Sequence, residues 1–108
     1  MANKRKIRAD GTDALTVATT PGQQIPVGYQ QITDLTAVIT LTIPTGATFA
    51  MVQAEGAPVR WRDDGVAPTA SVGMRLPANS EVRMDTMLSG LKFIQEAAGA
   101  KLNISYYG

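Results

Sequence analysis

The chain has 108 residues, with ten Lys plus Arg, nine Asp plus Glu, no His and no Cys, which gives a formal net charge of +1. This length fits one domain and leaves no room for two full-sized ones. The absence of Cys excludes disulfides and thiolate chemistry, and the absence of His removes the commonest general base and metal ligand.

The first residues of the chain form a basic cluster. Residues 1–8 contain no acidic side chain and four basic ones: Lys4, Arg5, Lys6 and Arg8. Residues 9–108 contain six basic and nine acidic side chains, a net charge of −3. We therefore expect a basic N-terminal arm over residues 1–11 and a domain over residues 12–108.

This arm has two open interpretations: a solvated, solubilising terminus, or a tether that crosses to a neighbouring acidic surface. Nucleic acid is not an expected partner, because four charges without interleaved aromatic residues are a weak indication of nucleic-acid binding.

A membrane partner is not expected either, because no apolar run approaches the ~18–20 residues that span a bilayer. No apolar segment follows the basic start, as it would in a signal peptide, so we expect assembly in the cytoplasm.

Short strands are predicted throughout the chain. Ten Gly and six Pro divide it into short stretches rich in Val, Ile and Thr, whose branched side chains favour strands. Weaker strand signals lie at residues 13–18 and 29–33. The clearest strand spans residues 37–43, where Ile or Leu at alternate positions predicts one buried and one wetter face. Residues 48–55 are apolar on both faces, so this strand either lies centrally in a sheet or faces a partner.

The second half of the chain continues this pattern. Further strands are predicted at residues 59–63, 73–76, 81–85, 91–96 and 101–107. The total is about eight to nine short strands. The residues therefore predict an all-β fold, a single-domain sandwich or barrel.

Two aromatic positions are candidates for contact with a partner. Alternation places Trp61 on the face opposite to Arg60 and Arg62. Trp61 is either a core anchor beside two arginines that pair with nearby carboxylates, or an interface residue, because Trp and Arg are enriched at binding hot spots. At the C-terminus, alternation buries one of two adjacent Tyr rings and exposes the other, so Tyr107 is either a contact residue or an ordinary surface ring.

No motif in the sequence carries catalytic chemistry. The one pair of adjacent carboxylates, Asp63 and Asp64, precedes a Gly and is typical of a turn, whereas a calcium loop needs several oxygens at fixed spacing. Neither a Gly-x-Ser-x-Gly elbow, a phosphate-binding loop nor a dinucleotide fingerprint is present. We expect no catalytic residue, no metal site and no cofactor, and hence no enzyme.

Seven short segments form a recognisable pattern: residues 43–47, 53–56, 59–65, 68–70, 73–74, 91–94 and 99–107. The most specific are the strings Arg-Trp-Arg-Asp-Asp-Gly and Ala-Lys-Leu-Asn-Ile-Ser-Tyr-Tyr, neither of which is a catalytic signature. In these segments the chain resembles small bacteriophage structural proteins, of which the capsid cement or decoration proteins fit best. Residues 1–42 carry no part of the resemblance.

This resemblance implies a jelly-roll-like β fold, self-association as a dimer or trimer, and attachment to the major capsid protein on the exterior of the virion. Such a protein works by adhesion and needs a compact body with an adhesive edge or arm. Two other functions stay open: a head–tail or tail component, and a carbohydrate- or host-binding β module in which Trp61 stacks on a sugar. For the adhesive function the candidate partner-binding residues are the four basic side chains of the arm together with Arg60, Trp61, Arg62 and Tyr107.

Overall fold

The computed structural model describes residues 24–108. The predicted basic arm, the predicted strand at residues 13–18 and the predicted boundary between arm and domain lie outside the described residues. Among the described residues there is no α-helix, and a single turn of 3-10 helix covers Leu88–Gly90. Eight strands account for the regular structure: β1 (Pro26–Ile32), β2 (Ile39–Thr40), β3 (Phe49–Glu55), β4 (Val59–Arg62), β5 (Met74–Leu76), β6 (Glu81–Met84), β7 (Lys92–Gln95) and β8 (Lys101–Tyr107).

These strands form two four-stranded antiparallel sheets. The first sheet has the order β1-β8-β3-β6, and the second sheet has the order β2-β7-β4-β5. Apart from the step from β4 to β5, every connection between consecutive strands passes from one sheet to the other. Strands that are neighbours in the chain are therefore mostly not neighbours in a sheet, and the longest-range pair joins β1 to β8.

One face of each sheet supplies the hydrophobic core. In the first sheet the core residues are alternate positions of β3 and β8: Ala50, Val52, Ala54, Leu102, Ile104 and Tyr106. Val59, Leu76 and Phe93 enter the same core from the second sheet, and all nine are almost completely buried. Since side chains alternate across a strand, the residues between them lie on the two outer faces. The shared core makes residues 24–108 a single domain.

The predicted strand at residues 37–43 is mostly wrong in extent, although its burial pattern is correct. Ile39, Leu41 and Ile43 are half-buried against the core, and the side chains between them are exposed. Only Ile39 and Thr40 pair, with Phe93 and Lys92 of β7. The register would next place Leu41 opposite Leu91, but the backbone N–H of Leu91 donates to the carbonyl oxygen of Leu88 in the 3-10 turn, and the pairing ends there.

Candidate functional site

Three of the candidate residues lie on β4, an internal strand of the second sheet. Trp61 is on the same face as Val59, is half-buried and packs against the core, which agrees with the core-anchor interpretation. Arg60 and Arg62 lie on the opposite, outer face. The alternation predicted from the sequence is therefore present, with the arginines on the outer face and the Trp ring mostly directed inward.

Arg60 is held by a cluster of charges that joins β4, β5 and the residue directly after β7. Its Nε atom is 2.8 Å from Oε2 of Glu96, and its Nη1 atom donates a hydrogen bond of 3.0 Å to the carbonyl oxygen of Gly73. Arg75 of β5 also donates from Nε to both oxygens of Glu96, at 3.1 and 3.2 Å. The hydrogen bond from Arg75, followed by that from Arg60, lowers the pKa of Glu96. The partners expected from the sequence were carboxylates close to Arg60 in the chain, and Glu96 was missed.

Arg62 pairs within its own turn. Its Nε and Nη2 atoms contact the two carboxylate oxygens of Asp64 at 3.0 and 2.5 Å, a bidentate geometry. Asp64 also accepts a hydrogen bond of 3.3 Å from the backbone N–H of Val66, as predicted for an Asp in a turn. The hydrogen bond from Arg62 lowers the pKa of Asp64 and so favours its ionised form.

An exposed apolar surface lies beside this ion pair. We name it the β5 patch; it comprises Val66 and Val72 in the loop before β5, and Met74 at the start of β5, each more than half exposed. A depression of 290 Å³ joins Val72 and Met74 to Arg62 and Asp64. β5 is a three-residue edge strand of the second sheet. Apolar side chains rimmed by charges are typical of a contact surface, and sequence reasoning did not single them out.

Tyr107 lies at the outer face of the first sheet, as alternation from the buried Tyr106 requires. Its ring stacks on Phe49 of β3, with 5.0 Å between centroids and 12° between planes. The guanidinium carbon of Arg83, from β6 on the other side of β3, lies 3.8 Å from the centroid of Phe49. Phe49 is consequently buried outside the main core, and Tyr107, half-buried, contributes to packing.

The rest of this outer face contains a polar network centred on Asn103. The Oδ1 atom of Asn103 accepts hydrogen bonds from Tyr29 Oη (2.8 Å) and Gln31 Nε2 (2.9 Å). Its Nδ2 atom donates to Gln53 Oε1 (3.1 Å) and Glu55 Oε1 (3.0 Å). An amide side chain offers two donor and two acceptor positions. All four are occupied in Asn103, which thereby connects three strands. No sequence motif singled it out.

The candidate residues therefore fall on separate surfaces. Arg60 and Arg62 lie on the outer face of the second sheet, and Tyr107 on that of the first; Lys4, Arg5, Lys6 and Arg8 are outside the described residues. Within residues 24–108, no group of three or more acidic side chains is placed to hold a metal ion.

No helix in this described part of the chain has both the length and the apolar character needed to cross a membrane.

Comparisons with protein-family models, with curated proteins and with solved structures found no match to this chain.

Proposed function

We propose that this protein is a bacteriophage virion structural protein, a capsid cement or decoration protein that binds the assembled lattice of the major capsid protein and stabilises the head. The resemblance of residues 43–107 to small phage structural proteins first suggested this function. The structural observation that supports it is the nested pairing of the strands, a topology found in capsid proteins as well as in lectins.

The strand pairs support a jelly roll. They are nested: β4 pairs with β5, β3 with β6, β2 with β7, and β1 with β8, all antiparallel. A chain paired in this way is one long hairpin, and winding that hairpin into two layers gives the orders β1-β8-β3-β6 and β2-β7-β4-β5. Jelly rolls of eight strands in two sheets are typical of viral capsid and lectin domains. This topology fits a virion component, but lectin domains share it, so the choice between the two rests on the resemblance.

The surface proposed to meet the capsid is the β5 patch. Its side chains Val66, Val72 and Met74 offer apolar area, and the neighbouring Arg62–Asp64 pair offers polar contacts at the rim, the usual anatomy of an interface. The four basic residues of the arm would add attraction to an acidic capsid surface. A stable interface buries about 800 Å² per partner, a substantial share of the 5633 Å² surface of this chain.

The proposed mechanism is mass action. A protein that binds only the assembled lattice stabilises that lattice by RT ln(1 + [L]/Kd), about 2.7 kcal/mol per site at a hundredfold excess over Kd. Because the lattice repeats the site many times, the shell gains this contribution at each site, and self-association as a dimer or trimer would add avidity. Each single contact can then be modest. No bond-breaking step is required.

The test is co-sedimentation of the full chain with capsids assembled from the major capsid protein of the same genome. The proposal expects saturable binding at roughly hundreds of copies per particle and a higher temperature of capsid disruption. A ring-like stoichiometry of about six or twelve copies would instead assign the protein to the head–tail or tail structures. Absence of binding to capsids would overturn the proposal.

A pair of matched variants locates the contact. Met74→Ser removes the apolar end of the β5 patch, whereas Met87→Ser changes a residue that is 74% exposed and lines a different depression, beside Ile43 and Ala47. Met74→Ser is expected to reduce capsid occupancy, and Met87→Ser to leave it unchanged. Equal occupancy for both variants would exclude the β5 patch as the contact and leave the attachment to another surface.

A further inference from the structure

A depression of 270 Å³ lies on the outer face of the first sheet. The register explains its shape: Ser105 of β8 has Tyr29 of β1 on one side and Met51 of β3 on the other. Along β8 the next outward side chains are Asn103 and Tyr107. Ser105 is thus a small residue surrounded by four larger ones, and the missing volume above it forms the hollow.

One wall of the hollow is an aromatic ring held in place. The side chain of Tyr29 is 65% exposed, yet its hydroxyl donates a hydrogen bond of 2.8 Å to Oδ1 of Asn103. This bond fixes the ring before any ligand arrives. A ligand that stacks on a fixed ring loses less free energy to ordering of the protein than one that must first immobilise a mobile side chain.

The polar groups around the hollow are also oriented. Gln53, which lines the hollow, accepts a hydrogen bond from Asn103 through its Oε1 atom, which leaves its amide nitrogen as a donor. The hydroxyl of Ser105 can both donate and accept. The hollow therefore offers both hydrogen-bond donors and an acceptor next to an aromatic face.

The charge at the hollow restricts the ligand. Of the described residues that line the hollow, one is charged, Glu81. Its carboxylate repels phosphate, sulfate or sialic acid. A sugar ring without charge has an apolar C–H face suited to an aromatic ring, and hydroxyls that both donate and accept hydrogen bonds. The volume lies just below the ~300–1,000 Å³ of sites for drug-sized molecules, which suits one monosaccharide unit of a longer chain.

We propose that this hollow, with Tyr29 as the stacking platform and Gln53, Ser105 and Asn103 at its floor and rim, is a binding site for one unit of a neutral oligosaccharide. The sequence suggested Trp61 for such stacking. The Tyr29 ring offers the more accessible platform, because Trp61 packs against the core. The site lies on the first sheet, whereas the β5 patch lies at the edge of the second, so it does not depend on the capsid-binding function.

The test is a titration of the full-length, isotope-labelled protein with maltotriose, cellotriose, mannotriose and triacetylchitotriose, followed by NMR. We expect at least one of them to shift the backbone amide of Ser105 and the side-chain amides of Gln53 and Asn103. Tyr29→Ala should weaken that binding by more than about tenfold. Tyr29→Phe keeps the ring but loses the hydrogen bond that fixes it, so its affinity should lie between those of Tyr29→Ala and the native chain. Met87→Ala is the exposed control and should retain all of the affinity.

Three results would overturn the site. One is the absence of shifts at Ser105, Gln53 and Asn103 with all four sugars; another is equal affinity of Tyr29→Ala and the native chain. The third is tighter binding of sialyllactose or choline than of any neutral sugar, which would assign the hollow to charged ligands. A thermal melt of each variant shows that it is folded, and if Tyr29→Ala unfolds, Ser105→Leu, which fills the hollow, replaces it with the same expected loss.

Discussion

The Nε atom of Arg60 lies 2.8 Å from the Oε2 atom of Glu96, although 36 positions separate the two residues in the chain. Glu96 thereby links two arginines that face each other across β4 and β5, Arg60 and Arg75. Like charges at directly opposite positions destabilise a sheet. The single carboxylate of Glu96 converts this repulsive pair into an attractive cluster. The stability of these contacts on the outer face of the second sheet therefore depends on the ionisation of Glu96.

Replacing this carboxylate should lower stability and change its acid dependence. Folding lowers the pKa of Glu96 from its ordinary value of 4.5, chiefly through the hydrogen bond from Arg75. A group with a lowered folded pKa contributes stability that is complete above its unfolded pKa and is lost as pH falls through the folded pKa. The melting temperature of the native chain is therefore expected to fall as pH drops below about 4.5, and Glu96→Gln should remove part of that fall.

Asp64→Asn is the matched control for this experiment. The hydrogen bond from Arg62 lowers the pKa of Asp64 from its ordinary value of 3.8. The loss of its contribution therefore begins at a lower pH than that of Glu96, whose ordinary value is 4.5. Both variants are measured by thermal denaturation from neutral to strongly acidic pH. Identical pH profiles for Glu96→Gln and the native chain would show that the cluster adds nothing to stability.

Stability should also fall in alkali, through Tyr106. Burial raises the pKa of Tyr106 from 10.0 to about 12, and its hydroxyl donates a hydrogen bond of 2.8 Å to Oε1 of Gln30. Above the unfolded pKa the unfolded chain loses this proton while the folded chain keeps it, so stability decreases between pH 10 and about 12. Tyr106→Phe should abolish that decrease and cost about 1 kcal/mol at neutral pH for the lost hydrogen bond. Denaturant titrations at several pH values measure both effects.

Local alternation made part of this fold predictable. The strand predicted at residues 101–107 has the bounds of β8, and of its two adjacent Tyr rings Tyr106 is buried and Tyr107 is half-buried on the other face. The strand predicted at residues 48–55 is an internal strand, as one of its two interpretations required. Both results follow because side chains alternate between the two faces of a strand. This alternation can be read from neighbouring residues without knowing which strands pair.

The pairing of strands could not be predicted in the same way. β5 and β6 are separated by only four residues, yet they belong to different sheets, and β1 pairs with the last strand of the chain. The partner of Arg60 and the network at Asn103 depend on these long-range registers. No local period encodes a register between segments more than thirty positions apart, which is why Glu96 and Asn103 were missed.

Gly56 should not tolerate a side chain. Its φ angle is +86°, and a Cβ atom there would overlap the carbonyl oxygen of Gly99. Gly65 has nearly the same φ angle, +83°, but a Cβ atom added there would meet no other atom within 4 Å. Gly65→Ala is expected to cost about 1 kcal/mol for the left-handed backbone alone, and Gly56→Ala about 1–3 kcal/mol more for the overlap. Urea denaturation of both variants tests this, and equal costs would contradict the close approach of Gly56 to Gly99.

The stacked rings of Phe49 and Tyr107 should be energetically coupled. Their geometry predicts an interaction of about 0.5–1.5 kcal/mol beyond the burial of each ring. A double-mutant cycle of Phe49→Ala and Tyr107→Ala in denaturant measures this coupling, with Tyr29→Ala in place of Tyr107→Ala as the uncoupled control. A coupling near zero would mean that Tyr107 does not stabilise the fold through this stack. The interpretation of Tyr107 as a contact residue for a partner would then be favoured.

Deletion of residues 1–8 separates the two interpretations of the basic arm. The deletion removes four basic and no acidic side chains and changes the net charge from +1 to −3. If the arm is a tether to an acidic capsid surface, capsid occupancy should fall at low salt. The difference from the native chain should shrink as the screening length decreases from about 10 Å at 0.1 M salt to about 3 Å at 1 M. A length-matched variant with the four basic residues changed to Gln should behave like the deletion. If both variants instead show unchanged capsid occupancy and reduced solubility, the arm is a solubilising terminus.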